Sequence, residues 1–297
     1  MTRPLAVLHA TFAPQDTPGL FAIAAEAGYD GVESEVPRGP SRGADPVKWP
    51  SASEIREALV AVQDLRRRTG LRTDTFTAGG FWCLLDKDHP DRVAGEIAFF
   101  TDAIPLMAEL CEARVVTVNL AGALVAPGAA YMELDRNGSA IATDVHFQRA
   151  ADALRLIGEV ARRCGMKIGV EMHGCSIADC AAAIKRLMDL AAHPAVGVTW
   201  DVGNVFTMGR AEPWEQHLKL FGPHIINVHL KNAAYGAWKW KRSPLGVGAI
   251  QDFPAQVRAL LATGYQGAFA VEAPGLREKQ LETARMDLAF LKDILKG

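Results

Sequence analysis

Apolar positions along the chain follow two alternating rhythms: short β-branched runs of strand length, then longer stretches with an apolar residue every three or four places. The runs predict strands over Leu5–Phe12, Gly31–Val36, Arg72–Ala78, Arg114–Leu120, Lys167–His173, Val196–Asp201, Ile225–Lys231 and Ala268–Ala273. The stretches between them predict helices with marked ends. "DTPGLFAIAAEAG" offers Thr17 as a cap, Pro18 at the first helical position and Gly28 as the stop. "FQRAADALRLIGEVARRCG" places apolar or small residues at 147, 150, 154, 157 and 161, a core-facing stripe that stops at Gly165. "SIADCAAAIKRLMDLAAHP" opens with Ser176 and Asp179 in capping-box spacing and runs into Pro194.

Strand–helix alternation of this kind makes a parallel sheet with helices outside it. An open doubly wound sheet and a closed barrel both satisfy that rule. Eight units in 297 residues favour the closed (β/α)8 TIM barrel, a fold of typically about 250 residues. No GxGxxG follows the first strand, which removes the usual dinucleotide site of the open form. "AGYDGVESE" (Ala27 to Glu35) and "TGYQGAFAVE" (Thr263 to Glu272) echo each other as a helix end, Gly-Tyr-x-Gly, then a strand carrying Glu. No Gly-, Pro- or Ser-rich linker divides the chain, so residues 1–297 read as a single barrel domain.

Where the strands end in polar residues, chemistry gathers. Reactive groups of such barrels sit at the carboxyl ends of the strands. "IGVEMHG" carries Glu171 at the end of strand five, "VGVTWDVGN" carries Asp201 on strand six, "IINVHLKN" carries His229 on strand seven, and "AFAVEAPG" carries Glu272 on strand eight. Alternation puts His173 on the same inner face as Glu171, and Lys231 on the face of His229. Three carboxylates held in a low-dielectric pocket repel each other and lose hydration, at several kcal/mol each, unless a positive charge binds them. Lys231 helps, but a divalent cation meets the need better. Three carboxylates and one imidazole suit Mn²⁺ first, with Co²⁺ or Mg²⁺ as alternatives.

"GVEMHG", "WDVGN", "NVHLKN" and "FAVEAPG", in this order and spacing, resemble the xylose isomerase-like TIM barrels: sugar isomerases, ketose 3-epimerases, hydroxypyruvate isomerases and inosose dehydratases. "PLGVGAIQDFPAQVRALLATGYQGAFAVE" is similar to that family's closing segment. The resemblance is specific from about Ala150 onward and extends to the first half through "GYDGVE" and its rhythm. It implies that Glu171, Asp201, His229 and Glu272 are metal ligands. Two positions depart from the pattern: Asn204 stands where ketose 3-epimerases usually carry a substrate-contacting His, and Val247 where a charged residue is common.

The chemistry such a site supports is proton abstraction beside a carbonyl, through an enediolate that a cation stabilises. Glu171 and Glu272 are the expected acid and base, and His173, Asn204 and Lys231 the expected substrate contacts. Return of the proton to the other face gives epimerisation, and transfer to the next carbon gives isomerisation. Loss of a β-hydroxyl instead makes the enzyme a lyase or dehydratase on a keto-inositol or 3-keto-glycoside. Trp82 in "TAGGFWCLLDKD" and Trp238 in "NAAYGAWKWKRS" offer apolar faces to a sugar ring. The long segments 121–145 and 233–249 read as lids or as contacts in a homo-oligomer.

Composition narrows the partners. A net charge of −2 and no basic block longer than "KWKR" give no footing for nucleic acid or an anionic membrane, which sets an apurinic-endonuclease reading low. No apolar stretch approaches the ~20 residues that span a bilayer. "MTRPLAVLHATFAPQD" has too brief an apolar run for a signal peptide, and five cysteines without a secretion signal suit a reducing cytoplasm. The expected partner is a small-molecule carbohydrate. A barrel that binds metal but turns nothing over is the remaining rival, and loss of turnover in Glu171→Gln with metal retained argues against it.

Overall fold

The computed structural model describes residues 4–12, 16–36, 48–80, 90–120, 124–130, 133, 135–174, 176–207, 212–236, 239–248, 251–272 and 279–296. Eight parallel strands close into a barrel: β1 (Leu5–His9), β2 (Gly31–Glu35), β3 (Thr75–Gly80), β4 (Val115–Asn119), β5 (Lys167–Glu171), β6 (Val196–Trp200), β7 (Ile225–Leu230) and β10 (Ala268–Val271). The ring shuts where β1 pairs on one side with β10, Leu5 opposite Ala268, and on the other with β2, Val7 opposite Gly31. A two-stranded antiparallel hairpin, β8 (Asn232–Gly236) with β9 (Lys239–Ser243), rises directly from the end of β7. The segment 233–249, read from the sequence as a loop, therefore contains strand structure.

Around the barrel lie α1 (Thr17–Ala27), α2 (Ala52–Thr69), α3 (Pro90–Cys111), α4 (Asp144–Arg163), α5 (Ala181–Ala191), the short α6 (Val202–Thr207), α7 (Trp214–Phe221), α8 (Phe253–Ala262) and α9 (Gln280–Lys296). The predicted stripe of α4 is the buried one: Phe147, Ala150, Leu154, Ile157 and Ala161 all face the core. Helix α1 stops at Gly28, whose φ of 88° suits glycine, but its cap is Asp16 rather than Thr17, with Oδ1 accepting the Gly19 amide at 2.9 Å.

The capping box expected of Ser176 and Asp179 does not form. Helix α5 begins later, at Ala181; Ser176 Oγ accepts the Ala178 amide at 2.9 Å in its own turn, and Asp179 accepts the Ser139 amide at 3.2 Å. Short polar side chains offer the backbone local partners that compete with helix, and here a contact across the chain recruits the carboxylate.

Each barrel strand ends one or more residues before its expected limit, apart from β3, which starts and ends later. Asp201, Lys231 and Glu272 thus stand just beyond the last paired residue, where a side chain is free to turn over the barrel mouth. Alternating residues divide the interior. One set, including Leu8, Val32, Phe76, Val116, Ile168, Val198, Val228 and Phe269, packs outward in the large apolar core beneath the helices. Val7, Ala268 and Ala270 form a separate small apolar cluster. Above them the barrel is polar: Thr117 Oγ1 lies 2.9 Å from Thr199 Oγ1, and Asn227 Nδ2 donates to Thr117 Oγ1 at 3.2 Å. A Cβ on Gly169 would meet Thr199 Oγ1 at 2.2 Å, so only glycine leaves room for this layer.

Candidate metal centre

Four strands bring their terminal polar residues to one point. Glu171 closes β5, Asp201 follows β6, His229 lies within β7 and Glu272 follows β10, and all four are buried. One ligand atom from each lies within 4.8 Å of all the others. His229 Nδ1 is the hub, 3.3 Å from Glu171 Oε1, 3.5 Å from Glu272 Oε2 and 4.0 Å from Asp201 Oδ2.

The other nitrogen of that ring is held from behind. His229 Nε2 lies 3.0 Å from Glu33 Oε1, a fully buried carboxylate whose Oε2 accepts from Asn227 Nδ2 at 3.0 Å. In the neutral ring a carboxylate on Nε2 keeps the proton there and would leave the Nδ1 lone pair for a metal, the usual outer-shell arrangement behind a metal-binding histidine. Burial alone would raise Glu33, yet the charge and hydrogen bond of His229 outweigh it and hold the carboxyl down at about 2. Burial alone would lower His229; Glu33 and Glu171 reverse this and carry its pKa well above the ordinary 6.5.

Lys231 bridges the far side. Its Nζ lies 2.8 Å from Glu272 Oε2 and 3.1 Å from Asp201 Oδ2, and it donates to Asn204 Oδ1 at 2.8 Å. Asn204 in turn donates Nδ2 to Glu171 Oε1 at 3.1 Å and to the Met172 carbonyl at 3.2 Å, while its amide donates to Asp201 Oδ1 at 2.8 Å. One residue, through its side chain and its amide, thus ties the ends of β5, β6 and β7 together. Asn119 Nδ2 holds the remaining Glu171 oxygen at 3.1 Å. Burial pushes the Asp201 carboxyl up, against the pull of Lys231; for Glu272 the summed attraction of Lys231, His9, His229 and Arg242 overcomes burial and pulls the carboxyl down.

These donors fit a divalent cation. Asp201 Oδ2 and Glu272 Oε2 are buried and accept no hydrogen bond among the described residues, although Lys231 is near both. Four carboxylates (Glu33, Glu171, Asp201, Glu272) face one buried ammonium and, at the rim, Arg242, whose Nη2 lies 3.6 Å from Glu272 Oε1. Two negative charges remain, the charge of one divalent ion or of protons on the two histidines. The ligand set is oxygen-rich with a single imidazole, which suits Mn²⁺, Co²⁺ or Mg²⁺ over thiolate-seeking metals.

A sequence model of the xylose isomerase-like TIM barrels matches residues 21–294. The chain belongs to the xylose isomerase-like TIM barrel family. Solved structures with the same barrel include the 3-keto-D-glucoside 4-epimerase of E. coli, 18% identical with a TM-score of 0.72, covering 98% of this chain and 100% of that one. D-allulose 3-epimerase from Methylomonas sp. is 16% identical with a TM-score of 0.74, covering 99% of each chain. A xylose isomerase-like protein from Mycobacterium smegmatis, determined in complex with magnesium, is 17% identical with a TM-score of 0.72, covering 98% of this chain and 96% of that one. At such identities the likeness speaks for the fold. No curated protein matches the chain.

In this xylose isomerase-like barrel the remaining sequence-flagged residues fall into three groups. Lys231 and Asn204 join the cluster, Asn204 as a buried brace between Glu171 and Lys231. His173 stands past the end of β5, so strand alternation does not fix its direction; its Nδ1 is 2.9 Å from the Gly174 carbonyl. Trp82 and Trp238 lie outside the described residues. Val247, the departure noted in the closing segment, is exposed.

Sequence reasoning missed Glu33, His9, Asn119, Asn227 and Arg242. His9 ends β1, packs its ring edge-on to His229 at 4.7 Å, and accepts the Thr11 amide on Nδ1 at 3.1 Å. Its Nε2, 3.9 Å from Glu33 Oε1, has no hydrogen-bond partner among the described residues. The echo between "AGYDGVESE" and "TGYQGAFAVE" marks a Glu-bearing strand in both places, but in the shared Gly-Tyr-x-Gly register Glu272 falls opposite Val36, so it did not single out Glu33. No described helix is long and apolar enough to cross a membrane.

Proposed function

We propose that this chain is a divalent-metal-dependent isomerase or epimerase of a keto-sugar or sugar derivative. The observation that carries the reading is the convergence of Glu171, Asp201, His229 and Glu272 ligand atoms within 4.8 Å at the carboxyl ends of the strands. Asp201, His229 and the two glutamates would hold the ion, Mn²⁺ first by ligand chemistry. When bound, it would polarise the substrate carbonyl and stabilise the negative charge that develops there as the α-proton leaves.

The protein's own groups do the rest. Glu171 and Glu272 reach the centre from β5 and β10, strands that are not neighbours in the ring, so they are suited to proton transfer on two faces of one substrate. Asn119 and Asn204 fix the two oxygens of Glu171, which keeps its lone pairs aimed. Arg242, returned to the mouth by the hairpin, is placed to donate to a sugar oxygen. Two of the structural neighbours are named as epimerases, of 3-keto-D-glucoside and of D-allulose, which supports a carbohydrate substrate here.

The test is incubation with Mn²⁺ in D₂O against ketoses, inososes and 3-keto-glycosides, read by NMR. Exchange of a substrate C–H for deuterium with retention of the carbon skeleton and all oxygens is the expected result. Exchange accompanied by loss of water or of an aglycone moves the enzyme to the lyases. No exchange on any member of the panel, with metal bound, overturns the catalytic reading.

A further inference from the structure

Lys231 contacts the oxygens that matter most. Its Nζ is 2.8 Å from Glu272 Oε2 and 3.1 Å from Asp201 Oδ2, the two oxygens that face His229 Nδ1 at 3.5 and 4.0 Å. The placement is built rather than incidental. Asn204 Oδ1 accepts from the ammonium at 2.8 Å, and Asn204 is itself anchored on Glu171, Met172 and Asp201. Gly203 packs against the lysine backbone, where a Cβ would meet the Lys231 carbonyl oxygen at 2.5 Å and its Cβ at 2.9 Å. A side chain at 203 would force this packing to shift.

We infer that Lys231 is an internal competitor of the metal: a tethered cation that holds the acids together and gives up Asp201 and Glu272 when a divalent ion takes them. This rests on the metal reading of Glu171, Asp201, His229 and Glu272. A divalent ion sits about 2.1 Å from a carboxylate oxygen. An ammonium within hydrogen-bond distance of the same oxygens then lies within about 5 Å of that ion, among buried side chains where repulsion is stronger than in water. Either Lys231 withdraws or the two cations share the oxygens under strain. Both lower the affinity for metal, and both make the lysine a stabiliser of the protein without metal.

The consequences have opposite signs, which makes them separable. Wild type, Lys231→Met, Lys231→Gln and Lys231→Arg are stripped with EDTA, melted, and titrated with Mn²⁺ by calorimetry. Lys231→Met and Lys231→Gln are expected to bind Mn²⁺ roughly ten-fold tighter or more, as removal of a nearby like charge requires. In EDTA both melt below wild type, and Lys231→Arg tracks wild type in both measurements. Should Lys231→Met fold only with metal, release of Mn²⁺ into excess EDTA replaces the titration and is expected to be slower than from wild type. Equal or weaker binding in both neutral variants overturns the inference alone. Wild type that takes up no Mn²⁺, Co²⁺ or Mg²⁺ overturns the metal reading and the competition together.

Discussion

The two halves of the barrel contribute to the site in different ways. Strands β5, β6, β7 and β10 supply the cluster itself, with acids at or just past the last paired residue and turned into the mouth. Strands β1, β2 and β4 supply what stands around it: His9 beside the His229 ring, Glu33 on its Nε2, and Asn119 on Glu171. The cluster side gathers three buried carboxylates at the barrel mouth, with Lys231 beside two of them. On the supporting side Glu33 is fully buried and its oxygens are held by Asn227 and His229. The contrast teaches that charge at a strand end and charge inside a strand do different work, even when both are glutamates.

Breaking the first half of that comparison produces the largest effect. Asp201→Asn keeps the shape but removes the anionic oxygen beside Lys231 and His229. Its metal affinity falls by more than the roughly 10- to 100-fold that changes outside the ligand shell cost, and elemental analysis of the purified variant finds metal well below stoichiometric. Metal retained at the wild-type level removes Asp201 from the ligands.

Breaking the second half comes next. Glu33→Gln leaves a hydrogen-bond partner for Nε2 but no charge, and metal affinity falls about 10- to 100-fold by titration. An unchanged affinity makes Glu33 a packing residue.

A pH series sharpens the same point. His229, raised above its ordinary pKa by Glu33 and Glu171, must lose a proton before its Nδ1 binds metal. Affinity therefore drops as pH falls below that raised value, by about ten-fold per unit for a single proton. Glu33→Gln lowers the His229 pKa and shifts the fall toward more acid pH. An affinity flat between pH 6 and 8, the span in which an ordinary histidine titrates, contradicts the assignment.

The smallest expected effect serves as a contrast away from the site. Asp287 on α9 is buried, donates nothing, and accepts only the Leu245 amide at 2.7 Å among the described residues, so burial pushes its carboxyl up to about 7. An acid raised in the fold gives stability that is complete below its unfolded pKa and is lost as pH rises through the folded value. Asp287→Asn keeps the acceptor, so it raises the melting temperature above pH 7 by several degrees at most and changes nothing near pH 4. Metal affinity stays as in wild type. A variant less stable than wild type at pH 8 refutes the burial account.

Much of this was legible in the sequence. All eight barrel strands overlap the apolar runs that predicted them, because each run had to be buried on its helix-facing side. The quartet was legible for a related reason: an acid that interrupts or ends an apolar run is conspicuous. Glu33 was not, since "GVESE" puts Glu33 and Glu35 on one face by alternation, and depth in the closed ring distinguishes them. Glu33 is fully buried and Glu35 is not. Asn119 and Arg242 reach Glu171 and Glu272 from 52 residues before and 30 residues before, separations to which no local pattern responds. The Ser176 and Asp179 spacing misled for the opposite reason, as a local signal overruled by Ser139.

Local physics read along the chain decided the period of each element, the closed parallel barrel and which acids stand at strand ends, because those depend on neighbours in sequence. Closure of the ring alone decided that Glu33 lies behind His229 and that Lys231 leans on Asp201 and Glu272. Such contacts form between strands far apart in the chain, and Coulomb forces act on distance in space.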